Sequence, residues 1–373
     1  MSNYQDLFHP SQHGRYLLTH SIGLMPRSAE QALGDNYLDH WRSGAEDIWP
    51  HWLDGVNQFN QALADLLQSQ ASQFCPQTNV SSGLSKMLLA LPKKPGKNVI
   101  VATESDFPSA GFVLKQAERL GFTLRLIPTT ADLQALDTWE QALSSDVHTA
   151  FITQVHYNTN MLTPVEQIAE LCRARDITSI VDTAQATGVV PIDLSNSNCD
   201  ILVGSCIKWL CGGPGAGFVW INAELIEQLK PYDVGWFSHQ NPFEFDIHNF
   251  EYAGDAARFW GGTPSVLPYI AASNSIKLIT DIGINTVLEH NRTLTQRLLD
   301  GVPEQCIVSP HDLNKKGGTT VLKFDNQDKL EDIMKANKLL FDSRQYGMRL
   351  SPHIYTDTSD IDCLLDCIKQ HLK

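Results

Sequence analysis

The sequence predicts an α/β fold: a mixed, mostly parallel sheet between two layers of helices, followed by a smaller α+β domain. Three observations predict it. From about residue 71 onward, short apolar runs alternate with helix-length stretches. The runs are continuously apolar, without the polar alternation of a sheet that faces water on one side. After about residue 265 the texture changes to long helical segments interleaved with isolated short strands.

The elements follow in order. Residues 29–70 are helical in pattern, rich in Leu, Trp and Ala, with few breakers. Val99–Ala102 (VIVA) reads as a strand, residues 109–120 as a helix and Thr123–Ile127 as the next strand. Ala150–Val155, Ile177–Val181, Ile201–Gly204 and Gly217–Ile221 are further strands, with a helix over 164–174 between the first two. Beyond them the pattern predicts one long helix over 266–299, a strand over 319–324 and a helix over 329–341. A strand over 348–350 and a final helix over 360–372 complete it. The expected organisation is an N-terminal helical segment, 1–70, that joins the small domain, a large domain, 71–265, and the small domain, 266–373.

Composition narrows the function. The chain has 373 residues, 42% hydrophobic and 19% charged, with 8 Trp, 15 Phe and 9 Tyr to pack, so it folds rather than staying disordered. Its formal net charge of −14 argues against nucleic acid as a partner, because a basic footprint supplies most non-specific affinity. No apolar run approaches a membrane span and the first residues lack a signal-peptide layout, so a cytoplasmic, soluble protein is expected. Eight cysteines occur without metal-ligand spacing, which reads as reduced thiols and predicts no metal.

In open α/β sheets the ligand sits beyond the carboxyl ends of the strands. Three such ends carry unusual residues. Val181 is followed by Asp182 in VDTAQATG. Gly204 is followed by Ser205, Lys208 and the glycine-rich GGPGAG of residues 212–217. Ala102 leads into TESDFPSA, with Phe107 in the turn. Taken singly, a lysine after a strand is a surface charge and an aspartate there is a turn or cap. Taken together, an acid, an amine and an aromatic ring converge on one crevice. GGPGAG is not a phosphate loop of the GxxxxGK[ST] kind, because the lysine precedes the glycines.

These motifs resemble the pyridoxal 5′-phosphate (PLP) enzymes of fold type I, class V aminotransferase superfamily, which includes kynureninases, cysteine desulfurases and isopenicillin-epimerase-like proteins. The likeness spans nearly the whole chain. It implies a seven-stranded large-domain sheet and a homodimer with the active site at the subunit interface. It also implies an amino-acid substrate that reacts as an external aldimine. Lys208 in SCIKWLCGG takes the role of the Schiff-base lysine and Ser205 that of a phosphate ligand. TNVSSGLSKML (78–88) is similar to the phosphate-binding loop, with Val80, Ser81 and Ser82 near the phosphate. Phe107 stands where the family stacks a residue on the ring, and Asn158 in VHYNTN faces the ring hydroxyl. Asp182 stands at the pyridine nitrogen and Gln185 beside the ring.

The segments GWFSHQNPFEFD (235–246) and RFWGGTPS (258–265) resemble the dimer region. There the likeness gives Trp236 and Thr263 cofactor contacts, the latter to the partner subunit's phosphate. YLLTHSIGLMP (16–26) resembles the segment across the active-site mouth, with Ile22 and Gly23 beside substrate. MRLSPHIYTDTSDID (348–362) resembles the motif whose Arg, here Arg349, binds the substrate carboxylate. The chemistry suits the parts: a desolvated lysine stays near-neutral, and a carboxylate keeps the pyridine nitrogen protonated.

Two departures bear on the reaction. Desulfurases carry a His over the ring and a mobile Cys before the carboxylate Arg; this chain has Phe107, and residues 326–348 contain no Cys. Kynureninases carry a Tyr directly before the lysine; Ile207 stands here and can neither donate a proton nor a hydrogen bond. Transamination is the expected reaction, with a kynureninase-like hydrolase or cysteine-type lyase as alternatives. A non-catalytic PLP-fold binding protein is the alternative of another class, disfavoured by the presence of both lysine and acid.

Overall fold

A computed structural model describes residues 4–44 and 47–373. Its centre is a seven-stranded sheet: β1 (Phe74–Gln77), β2 (Val99–Thr103), β3 (Thr123–Ile127), β4 (Val147–Thr153), β5 (Thr178–Asp182), β6 (Ile201–Ser205) and β7 (Gly217–Ile221). The spatial order is β1-β7-β6-β5-β4-β2-β3. All strands run parallel except β7, which is antiparallel to both β1 and β6. Side chains leave alternate strand positions toward two separate cores: Val99 and Val101 face one, Ile100 and Ala102 the other. The continuous apolar runs are therefore the mark of a sheet buried on both faces.

β1 escapes sequence reading because FCPQ contains Pro76, which cannot donate to a ladder. It is an edge strand paired only with β7, the place where proline is tolerated. The expected helix over 29–70 is broken: Arg27–Leu33 runs through a wider π turn, Gly34–Leu38, into Asp39–Ser43. Gly44 then ends it in the left-handed region, φ 63°. The long part is α1 (Trp49–Leu67).

The single helix expected over 266–299 is two helices, α2 (Leu267–Ile282) and α3 (Ile284–Asp300), parted at Gly283 with φ 91°. Their partners differ. Tyr269, Ile270, Ile276 and Ile279 of α2 share a core with Phe59 and Leu63 of α1 and with the sheet. Leu294 and Leu298 of α3 join the small-domain core around Leu330, Leu350 and Leu364. The change of partner falls within α3, whose Val287 still belongs to the large core, and α1 packs on α2 and against the large sheet.

The small domain holds an antiparallel sheet of β8 (Thr320–Leu322), β9 (Asp342–Arg344) and β10 (Gly347–Leu350), with β10 central. The chain near the N-terminus does join it: Arg15–Tyr16 pairs in parallel with Leu339–Leu340, and Leu18 bridges Ser351. The helix expected over 329–341 ends at Ala336, which releases Leu339–Leu340 for that pairing. No helix among the described residues is long and apolar enough to cross a membrane.

Candidate active site

The parallel strands end on one edge of the sheet. Register sets Thr153 beside Asp182, and Ser205 beside Gly217 of the reversed strand β7. Above this edge lies a cavity of about 500 Å³. Seven of the residues singled out from sequence line it: Val80, Ser81, Phe107, Asp182, Gln185, Ser205 and Lys208.

Lys208 follows β6 by three residues. Burial, helped by the positive charge of Arg349 and opposed by Asp182, lowers its amine from 10.5 to about 8. Its Nζ lies 5.9 Å from the centre of the Phe107 ring. Asp182, only 7% exposed, closes β5. Burial raises its pKa, while the Ala184 amide donates to its Oδ1 at 2.8 Å. A lysine and a carboxylate therefore face one apolar-walled space in which each feels the other.

Phe107 is set by its neighbour. Asp106 accepts from the Thr103 amide at 2.8 Å and from the Thr153 hydroxyl at 2.7 Å, tying the ends of β2 and β4 together. Burial lifts this carboxyl to about 6. Pro108 then starts a helix with its fixed φ at the first position. The Phe107 ring stands edge-on to Tyr157, centroids 5.1 Å apart at 89°.

The anion end of the cavity is the head of the helix Val80–Ala90. Asn79 caps it, its Oδ1 accepting from the Ser82 amide at 2.9 Å. The amides of Val80 and Ser81 head the helix, an arrangement that favours a phosphate. Ser82 itself does not line the cavity; its hydroxyl accepts from that of Thr78 at 3.2 Å. Gln185 lines the space, yet both ends of its amide are engaged, donating to the His20 carbonyl and accepting from the Trp209 indole. It presents a flat face rather than a hydrogen bond.

The remaining candidates lie outside the lining. Asn158 is 6% exposed and its Oδ1 has no hydrogen-bond partner among the described residues. Thr263 is exposed. Trp236 belongs to a separate aromatic cluster, edge-on to Trp49 at 5.6 Å and stacked with Phe245 at 5.7 Å. Ile22 is 49% exposed, whereas the Gly23 amide donates to the Ile207 carbonyl at 2.8 Å. A side chain at Gly23 would meet the Lys208 carbonyl oxygen at 2.3 Å, so the close approach requires glycine.

Arg349 stands behind Tyr157, donating to that residue's carbonyl at 3.2 Å. Its guanidinium is also paired side-on with Asp342, through Nε at 2.9 Å and through Nη2. Sequence reasoning missed Asp342, Asp106, Thr153 and Tyr157. Three of them sit inside or beside motifs already quoted; Asp342 sits on a strand too short and polar to be read.

This geometry fits PLP. The cavity joins a lysine of lowered pKa, a buried carboxylate, an aromatic face and a helix head, and Asn158, next in sequence to the lining residue Tyr157, has an amide oxygen without a partner among the described residues. Residues 54–338 match the family model described as Aminotransferase class-V. The chain belongs to the class-V aminotransferase family.

This class-V protein is 24% identical over 364 residues to an uncharacterised aminotransferase of Bacillus subtilis, covering 97% of this chain and 96% of that one. It is 25% identical over 319 residues to a kynureninase of Pseudomonas fluorescens, covering 81% and 75%. Among solved structures it superposes on a cysteine desulfurase of Thermococcus onnurineus with a TM-score of 0.87 at 17% identity. That match covers 100% of this chain and 98% of the other. The cystine C–S lyase C-DES gives 0.86 at 20% identity, covering 95% and 97%. These two likenesses establish the fold, and the family match makes this a PLP-dependent enzyme.

Proposed function

We propose that this class-V enzyme is a transaminase of an α-amino acid with an uncharged side chain. The observation that carries the reading is the scarcity of proton carriers around Lys208. Asp182 and Tyr157 are the other ionisable side chains that line the cavity. Transamination asks for one base that takes a proton from the substrate α-carbon and returns it elsewhere, and a lysine near pKa 8 is suited to both. Asp182 would keep the pyridine nitrogen of PLP protonated, its own carboxylate held by the Ala184 amide. PLP, when bound, supplies the electron sink that acidifies the α-carbon. Lys208 would hold it as an imine, Val80, Ser81 and Ser205 its phosphate, and Phe107 its ring face.

The rest of the wall is neutral: Ala110, Val155, Phe107 and Tyr157. Such a lining disfavours a second carboxylate on the substrate. A lyase or kynureninase-like hydrolase is the second reading, favoured by Tyr157, whose side chain lines the cavity and could serve as a second proton donor. No cysteine lines the cavity, which counts against persulfide chemistry. We also infer a homodimer, in which Thr263 and Trp236 act at the partner subunit's site. The exposure of Phe245 and Ile247, 74% and 91%, supports this.

The test is spectroscopic. Lys208→Ala is expected to purify without the ~420 nm imine band of the wild type; an intact band refutes Lys208 as the anchor. With a panel of amino acids, the wild-type band should pass to pyridoxamine absorbance. Release of pyruvate with ammonia would instead establish a lyase, and release of anthranilate a hydrolase.

A further inference from the structure

Asp342 makes more contacts than a partner for one arginine requires. It lies opposite Arg349 across the β9–β10 ladder, so its side chain and the guanidinium leave the same face of the sheet. Arg349 carries five N–H groups. Among the described residues three are taken: Nε and one on Nη2 by Asp342, and one on Nη1 by the Tyr157 carbonyl. One N–H on each terminal nitrogen is left over, and these form the end-on pair that a carboxylate takes when the Tyr157 carbonyl holds the Nη1 hydrogen on the Cδ side. The side-on pairing therefore dictates which edge of the guanidinium remains for a ligand.

The same carboxylate reaches the N-terminal segment. His20, its side chain 1% exposed, lies with Nε2 2.9 Å from Asp342 Oδ1 and Nδ1 2.6 Å from the Ser351 hydroxyl. Ser351 in turn meets the Thr319 hydroxyl at 2.8 Å. Burial, aided by Arg349 and Lys208 and opposed by Asp342, lowers the His20 pKa. A neutral ring donates from Nε2 to the carboxylate and accepts at Nδ1. The His20 carbonyl accepts from Gln185 in the cavity wall, and Gly23 docks on the Ile207 carbonyl beside Lys208. Exposed Arg344, 3.4 Å from Asp342, adds a weaker contact from the solvent side.

We propose that Asp342 is a positioning residue that fixes the carboxylate-binding edge of Arg349 and, through His20, locks that edge to the 15–23 segment bordering the cavity. This rests on the amino-acid reading above and adds to it a reason for selectivity. A substrate carboxylate meets a guanidinium already held in one orientation, and the segment that braces the cavity wall at Gln185 is held by the same acid.

Two variants of the holoenzyme and two measurements test it. Asp342→Asn keeps the shape but removes the charge and one acceptor. His20→Asn keeps reach to Ser351 and loses reach to Asp342. The first measurement is the ratio of apparent affinities for L-alanine and ethylamine, which differ by the carboxylate, followed by the change in the PLP absorbance. The second is amide hydrogen exchange over residues 15–23. Asp342→Asn is expected to lower the L-alanine preference about tenfold or more, the worth of a charge-assisted pair, and to speed exchange. His20→Asn is expected to speed exchange with a smaller loss of preference.

An unchanged preference with unchanged protection overturns the proposal. So does an equal weakening of L-alanine and ethylamine, which marks general damage rather than lost positioning. A wild type that binds both amines alike overturns the amino-acid reading instead, and the exchange measurement then decides the lock by itself.

Discussion

The most consequential residue-scale quantity is the state of the Lys208 amine. Moving its pKa from 10.5 to about 8 means that its surroundings, burial foremost, disfavour the charged form by about 3 kcal/mol net. The sign is that of a base with a lowered pKa: the proton leaves the folded protein first, and the neutral nucleophile accumulates as pH rises through about 8. The rate at which apoenzyme captures free PLP, read from the imine band, should therefore climb with pH, pass half its maximum near 8 and level off above that. A rate still rising toward 10.5 would show a solvated lysine. Lys208, Asp182 and Phe107 were legible in the sequence because each lies within a few residues of the end of a recognisable apolar strand. Asp342 was not, since its contacts lie across the chain: His20 is 322 positions away. Arg349 was legible by resemblance, but its pairing with Asp342 was not, because an ion pair leaves no periodic trace.

At the scale of elements, breaks were harder to read than the elements themselves. α2 and α3 look like one amphipathic run, since each is helical in composition and no proline parts them. Gly283 separates them with φ 91° and ψ 125°, a region that a residue with a Cβ enters only under strain. Nothing crowds the position closer than the Thr286 hydroxyl at 3.5 Å, so the cost of substitution is conformational rather than steric. Gly283→Ala should lower stability by about 1–3 kcal/mol, measured by denaturant titration. A neutral effect would mean that the helices merge without loss. The parallel strands were legible within a few residues at either end. The edge strand β1 was not, because Pro76 argues against a strand unless the reader knows that one of its sides is unpaired.

At the scale of the whole molecule, the loop over 232–250 is unlike the rest of the surface. Tyr232, Phe245 and Ile247 are 74–91% exposed and Phe243 and Phe250 nearly half so. An apolar cluster of that kind supports the proposed dimer interface. Phe245→Asp combined with Ile247→Asp is expected to turn a dimer into a monomer by light scattering. The same change should weaken PLP retention, if Thr263 and Trp236 serve the neighbouring site. A double variant that stays dimeric and keeps its cofactor places the interface elsewhere. Sequence suggests an interface there by likeness only, since burial between subunits is invisible in the periodicity of one chain.

The pairing of Arg15–Tyr16 with Leu339–Leu340 also orders events in time. A polypeptide emerges from the ribosome from its N-terminal end, so residues near position 20 wait, unpaired, for partners made more than three hundred residues later. Contacts of such separation form slowly. The sheet can gather Lys208 and Asp182 earlier, and so can begin to retain its cofactor while the hold on a substrate carboxylate is still missing. Newly made protein should pass through a coloured but undiscriminating stage, and acquire its taste for acids last.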